Sequence, residues 1–162
     1  MQSRPACVAD FPAILALNEE SVQFLSALPA ERLACLHAQA DWHHVVEAEG
    51  KVIAFLLAFR EGADYDSINF RWFAARHSRF LYIDRVVVSR GAQAKGAGSH
   101  LYREAFQHAS ASGLPLVACE FDIDPPNAVS EKFHAKFGFR EVGRQPVGYA
   151  QKVVSLQVAP VL

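Results

Sequence analysis

Leu81–Ala109 reads LYIDRVVVSRGAQAKGAGSHLYREAFQHA. Its apolar run Val86-Val87-Val88 ends in a turn of glycine and small residues, and an amphipathic pattern then places Ala97, Leu101, Ala105 and Ala109 on one stripe, with Tyr102 and Phe106 beside it. That order predicts strand, turn, helix. Gly96 and Gly98 fall where the helix begins, and a helix start carries unpaired backbone N–H groups and the positive end of the dipole. Free of bulky side chains, such a turn can receive a phosphate. Gly113 closes the helix, and Leu114–Phe121 (LPLVACEF) is a further apolar strand. The strand–helix–strand unit predicts parallel pairing.

Working outward, Val52–Leu57 is apolar throughout, the mark of a strand covered on both faces, and with HHVVEAEG before it predicts a hairpin around Gly50. Nearer the N-terminus, RPACVA (4–9) predicts a short first strand, with Asp10 as an N-cap and Pro12 in the first helical turn. Phe11, Ile14, Leu15, Asn18, Val22 and Leu25 lie close to one helical face, and a second helix follows Leu28-Pro29 with Leu33, Leu36 and Ala40 in period. Glu61–Arg79 is polar yet dense in aromatics (Tyr65, Phe70, Trp72, Phe73), with a short helix over Ser67–Ala75. So long a connection either packs its aromatics beneath it as a satellite core or takes part in substrate recognition. Downstream, Asp122–Pro126 breaks structure, Asn127 caps a helix reaching Phe137, with Phe133 and Phe137 on one side, and Gly138 ends it. Phe139–Gln145 and Tyr149–Val158 predict a final hairpin around Pro146 and Gly148.

The 162 residues suit one domain, 1–162, with 51% hydrophobic and 20% charged residues and a formal charge of −1. That balance points to no nucleic acid and no membrane as partner. With no signal-like apolar core at the start and no apolar stretch approaching the ~18 residues of a membrane span, a cytoplasmic location is the expectation. Cys7, Cys35 and Cys119 are odd in number and far apart, suggesting neither disulfides nor zinc but small buried hydrophobes. His43 and His44 are adjacent and face opposite sides of a strand, so no metal is expected.

Gly91-x4-Gly96 has the glycine spacing of a nucleotide P-loop, but Ala97 and Gly98 stand where Lys and Ser or Thr are needed. Gly96-Ala97-Gly98 begins a dinucleotide fingerprint, but Leu101 replaces its third glycine. Gln93-Ala94-Lys95-Gly96-Ala97-Gly98 does fit the pattern Q/R-x-x-G-x-G/A between strand and helix, and Asn127-x5-Phe133-His134-x-Lys136-Phe137-Gly138-Phe139 fits N-x-x-[AS]-x-x-[LF]-Y-x-[KR]-x-G-F. In this order the two motifs resemble the GNAT family of N-acetyltransferases, best from Phe80 to Phe139 and loosely over Met1–Ala40. The resemblance implies an α/β (mixed α+β) fold. Its central mixed twisted sheet is splayed into a V between the fourth and fifth strands, flanked by about four helices. It implies acetyl-CoA in the split as cosubstrate, its pyrophosphate on the amides of Gln93, Ala94, Lys95, Gly96, Ala97, Gly98 and Ser99. Val86, Val87 and Val88 would hold the pantetheine arm through main-chain bonds, with Asn127 and Lys136 completing the coenzyme set. Asn127 is equally a plain helix cap.

The activity so implied is transfer of acetyl from acetyl-CoA to a primary amine of a small molecule or peptide, by direct attack. Such a reaction needs an unprotonated amine, a donor for the oxyanion and a proton for the thiolate. A backbone N–H around Val87 suits the oxyanion, and Cys119 need not attack anything. Glu120 and Asp84 each interrupt an apolar strand near the expected cleft, and burial raises a carboxyl toward a useful base. Asp84 can instead pair with Arg85, and Glu120 can bond a neighbouring element. His134 stands where the family carries a Tyr acid; it serves as an imidazolium or is simply packed, leaving Tyr82, Tyr102 or water. A non-catalytic coenzyme A-binding sensor with the same fold is the rival reading, and a purely structural protein a third that leaves the glycine turn unexplained. A homodimer through the last hairpin or an edge strand is compatible with the pattern.

Overall fold

In the computed structural model, which describes residues 1–22, 25–148 and 152–162, the chain runs β1 (Ser3–Pro5), α1 (Phe11–Glu20), α2 (Ala30–Gln39), β2 (Trp42–Ala48), β3 (Lys51–Arg60), α3 (Ile68–Ala74), β4 (Leu81–Val88), α4 (Ala97–Ala111), β5 (Leu116–Asp124), α5 (Ala128–Ala135), β6 (Arg140–Val147) and β7 (Lys152–Pro160). The strands form one mixed sheet in the order β1-β2-β3-β4-β5-β7-β6. The β4–β5 pair is parallel and its neighbours are antiparallel. The apolar run of β3 is covered on both faces, as its lack of alternation predicts. Phe55, Leu57 and Phe59 pack with the α1, α2 and α3 residues Ile14, Leu33 and Phe70, while Ala54, Leu56 and Ala58 pack with Leu101 and Ala105 of α4.

Several boundaries differ from the sequence expectation. The first strand stops at Pro5 and a 3-10 turn spans Val8–Asp10. Asp10 does not cap α1 with its side chain: its carboxylate accepts from both Arg4 Nη atoms and from the Cys7 amide, each at 2.8 Å. α1 ends at Glu20, where the Ser21 amide turns back to the Asn18 carbonyl, so Val22 and Leu25 lie beyond the helix. β5 continues three residues past Phe121, and α5 stops two residues short of Phe137. There are five α-helices among the described residues, in keeping with the expected fold class. Cys119 is buried, but Cys7 and Cys35 are exposed. Tyr149, expected to open the last strand, lies outside the described residues.

The aromatics of 61–79 are core: Tyr65, Phe70 and Phe73 are buried, and Phe70 meets Tyr82 edge-on at 5.6 Å and Phe80 at 5.8 Å. Two irregularities of β4 shape the site. It pairs with β5 only at Leu81↔Val117 and Tyr82↔Ala118, whereas on its other side it stays paired to β3 as far as Val88. Opposite β3, Leu57↔Arg85 is followed by Ala58↔Ile83, which makes Asp84 the extra residue of a bulge.

Candidate active site

Where β4 and β5 part, one edge of β4 has no strand beside it. The Ser89 amide donates to the Ile53 carbonyl of β3 at 2.8 Å. Backbone direction alternates every residue, so Val87 shares that side, and Val86 and Val88 turn their N–H and C=O groups into the gap. Val86 and Val88 are half-buried there, and their backbone groups form an open strand edge. Beyond Ser89 the 3-10 turn Arg90–Lys95 ends on Gly96 at φ +80°, a left-handed conformation suited to glycine, and α4 starts there without a side-chain cap. The His100 amide already bonds the Gly96 carbonyl at 3.0 Å, which leaves the amides of Ala97, Gly98 and Ser99 as the first-turn donors. A Cβ placed at Gly91 or Gly96 would meet nothing within 4 Å, and at Gly98 only ordinary contacts with Val88 and Phe133. Packing inside the chain therefore does not call for this glycine density, and the turn leads into a helix start of unpaired amides, the kind of place that suits an anion.

The α1–α3 face of the sheet carries the polar half of the site. Glu120, on β5 two residues past the last β4 pair, accepts from the Tyr82 hydroxyl, which stands 2.8 and 2.7 Å from its two oxygens. Burial, and after it the nearby Asp84 charge, push its pKa up to about 8, against the hydrogen bonds from Tyr82 and Asn69 and the charge of Arg85. Asp84, the bulge residue, is fully engaged: Oδ1 accepts from Tyr65 at 2.6 Å and Oδ2 from Arg85 Nε at 2.9 Å. The bulge turns Arg85 to the same face, where it donates to Asn18 Oδ1 at 3.0 Å, to the Ser26 carbonyl at 3.1 Å and to Ser26 Oγ at 3.0 Å. Arg85 thus ties α1 and the chain after it to the site. Arg85→Leu is expected to cost about 3 kcal/mol in urea unfolding, because it leaves Asp84 buried without its cation; Asp84→Asn added to it should recover part of the loss.

His134 is 5% exposed and lies on the other face, against α4. Its Nδ1–H donates to the Ser130 carbonyl at 2.7 Å, so Nε2 accepts from the Tyr102 hydroxyl, also at 2.7 Å. Burial lowers its pKa from the ordinary imidazole value. At neutral pH it is an uncharged ring with both nitrogens occupied, stacked on Phe121 at 5.3 Å. Asn127 caps α5 through Oδ1, accepting from the Ser130 amide at 3.2 Å. Cys119 is buried with its thiol pKa pushed up, which suits packing rather than nucleophilic attack. No group of three or more His, Cys, Asp or Glu among the described residues is arranged to hold a metal, and no helix among them is long and apolar enough to cross a membrane.

A sequence model described as the acetyltransferase (GNAT) family matches residues 12–139. The chain belongs to that family. Among solved structures, this GNAT protein is similar to the ribosomal-protein-alanine N-acetyltransferase of Brucella melitensis, at 21% identity over 99% of each chain with a TM-score of 0.73. An N-acetyltransferase of Staphylococcus aureus shares 20% identity over 99% of this chain and 98% of its own, with a TM-score of 0.76. The Salmonella typhimurium protein yncA, solved with its cofactor acetyl-CoA, shares 18% identity over 100% of this chain and 94% of its own, with a TM-score of 0.75. At such identities the likeness is one of fold. No curated protein sequence matches.

Sequence reading singled out Glu120, Asp84 and His134 for the chemistry of this GNAT protein. The structure brings Asp84 and Glu120 to one face, near enough for the Asp84 charge to act on Glu120, and puts His134 on the opposite one. It adds Tyr65, whose hydroxyl reaches Asp84, and Tyr82, whose hydroxyl reaches Glu120. The sequence offered Tyr65 as one aromatic of the 61–79 connection and Tyr82 as a stand-in acid, with no sign of the carboxylate each would meet.

Proposed function

We propose that this GNAT protein moves the acetyl group of acetyl-CoA to a primary amine of a small molecule or a peptide by direct attack, with Glu120 as general base. The observation that carries this is Glu120 itself: a carboxyl with pKa pushed up to about 8, placed where the two strands part. Acetyl-CoA supplies an activated thioester carbonyl, and its diphosphate and pantetheine fit the α4 amides and the open edge at Val86 and Val88. An unprotonated amine approaching from the α1–α3 face bonds through its nitrogen to that carbonyl and gives a proton to the ionised form of Glu120, which is increasingly populated as pH approaches 8, while the C–S bond breaks and coenzyme A leaves as thiolate. Since Val87 directs its N–H to β3, the Val86 N–H is the better oxyanion donor. Asp84, with both oxygens occupied, is assigned to holding Arg85 and Tyr65 and to raising the Glu120 pKa rather than to taking the proton. An uncharged His134 bonded to Tyr102 does not act as an imidazolium; at neutral pH the thiolate leaves without its help.

The acceptor panel that tests this contains short peptides with free N-termini, amino acids and small diamines, with free thiol release followed at fixed acetyl-CoA. Turnover on at least one amine, with one acetyl added per thiol released, is the expected result. Acetyl-CoA binding without turnover on any of them would replace the enzyme by a coenzyme A sensor.

A further inference from the structure

Tyr82 stands where the sheet comes apart. It makes the last pair of β4 with β5, opposite Ala118. Residues two apart along a strand share a face, so Glu120 follows Ala118 onto the α1–α3 side, where Tyr82 also lies. From there the Tyr82 hydroxyl crosses to the Glu120 carboxyl, 2.8 Å from one oxygen and 2.7 Å from the other. A side-chain bond thus carries the join of the two strands one step past the end of their backbone ladder. The phenol ring is held on its own account. It is wholly buried, with Phe70 edge-on at 5.6 Å and Phe73 at 5.8 Å. Glu120 is half-buried. Its carboxyl is therefore gripped from the core by a group that solvent does not reach, while the residue itself keeps an open side.

We infer that Tyr82 is a positioning residue for Glu120: its hydroxyl fixes the direction of the carboxyl at the split in both protonation states and favours the ionised one. A phenol O–H donates to either oxygen of a carboxylate and, more weakly, to the carbonyl oxygen of the neutral acid. Burial, with the charge of Glu120 beside it, holds the phenol pKa well above its ordinary value, so the hydroxyl keeps its own proton while Glu120 gains and loses one. One O–H satisfies one oxygen, which leaves the other for the proton of an amine. This rests on the reading of Glu120 as the base. The other charged and titratable groups around Glu120 are Asp84 and Arg85 of β4, Tyr65 ahead of α3, Cys119 of β5 and Tyr102 of α4. All of them stay in place when the Tyr82 hydroxyl alone is altered.

The test follows the Glu120 carboxyl by carbon-13 NMR in the free chain, its signal assigned with Glu120→Gln. A donor to the ionised form lowers a pKa, so Tyr82→Phe should raise the Glu120 midpoint by about one pH unit. 3-Fluorotyrosine placed at position 82 alone keeps the ring and is the stronger donor, so it should lower the midpoint. The acid limb of the acetylation rate should follow each midpoint in its own direction while the KM for acetyl-CoA stays put. For Tyr82→Phe that makes turnover about tenfold slower at neutral pH, one pH unit being a factor of ten in the ionised base, with the deficit narrowing as the pH rises. A tyrosine that only packs would slow turnover equally at every pH. Wild-type midpoints in both variants, or shifts of the same sign in the two, would overturn the inference. Should Tyr82→Phe fold poorly, the fluorotyrosine variant decides alone, and an unmoved or raised midpoint overturns it. If the wild-type chain acetylates no amine, the proposed activity fails while the titration still decides the role of Tyr82.

Discussion

Glu120→Gln is expected to lower kcat/KM for the amine by about a hundredfold to ten-thousandfold, the range that a positioned general base contributes, and to stabilise the protein at alkaline pH. The two effects have one source. The folded chain holds the Glu120 carboxyl protonated up to about pH 8, from an ordinary value of 4.5. Between those two values the folded state binds a proton that the unfolded state has released, so stability falls as pH rises through the window. Each unit of such a shift is worth about 1.4 kcal/mol, and solvent reaching the cleft brings the total to the order of a few kcal/mol. Glutamine keeps the shape and cannot ionise. Urea unfolding should give similar stabilities for wild type and variant at pH 4.5 and a widening advantage for the variant up to pH 9. A pH-independent difference would remove the buried, protonated carboxyl from the account. Unchanged turnover would remove the base.

The second large effect is expected at Gly143. The Cβ of any other residue stands 2.5 Å from Trp72 Cζ2 and 3.0 Å from Cη2. Trp72 cannot readily step aside, for the Arg76 guanidinium lies 3.9 Å over its ring and Phe73 meets it edge-on at 5.2 Å. α3 must lift as a unit. Overpacking costs roughly 1–3 kcal/mol, so Gly143→Val should lose about 3 kcal/mol in thermal or urea unfolding and Gly143→Ala less. As α3 lifts, the Gln145–Asn69 hydrogen bond that spans the same contact is lost with it. Trp72→Ala combined with Gly143→Val should restore most of the stability. If Gly143→Val unfolds at the wild-type midpoint, the contact is not one that holds α3.

Much of this was readable in the chain before any coordinates, and for identifiable reasons. Val86–Val88, the glycine turn and the Ala97–Ala109 stripe obey local rules: apolar run, positive φ at Gly96, period of 3.6. Local rules survive translation into structure, and the strand–helix–strand unit stands where they place it. What was not readable depends on distance in sequence. Asp84 pairs with Arg85 and Tyr65 only because a bulge against β3 puts 84 and 85 on one face, and no period in the chain announces a bulge. The amides of Asn69 and Gln145 are 76 positions apart. His134 sits in a recognisable motif, but its neutral state follows from Tyr102 on another helix. The short helix over Ser67–Ala75 was legible, and of the two alternatives its aromatics left standing, a core beneath the connection and a part in substrate recognition, the buried rings bear out the first.

The two residue pairs that join β4 to β5 leave the sheet as two panels, one of four strands and one of three, seamed along a short stretch. A molecule lying along the open edge of β4 supplies the hydrogen bonds that an eighth strand would have made there. If acetyl-CoA lies there, as proposed, it would act by mass action to stabilise the folded chain in proportion to the logarithm of its concentration above Kd.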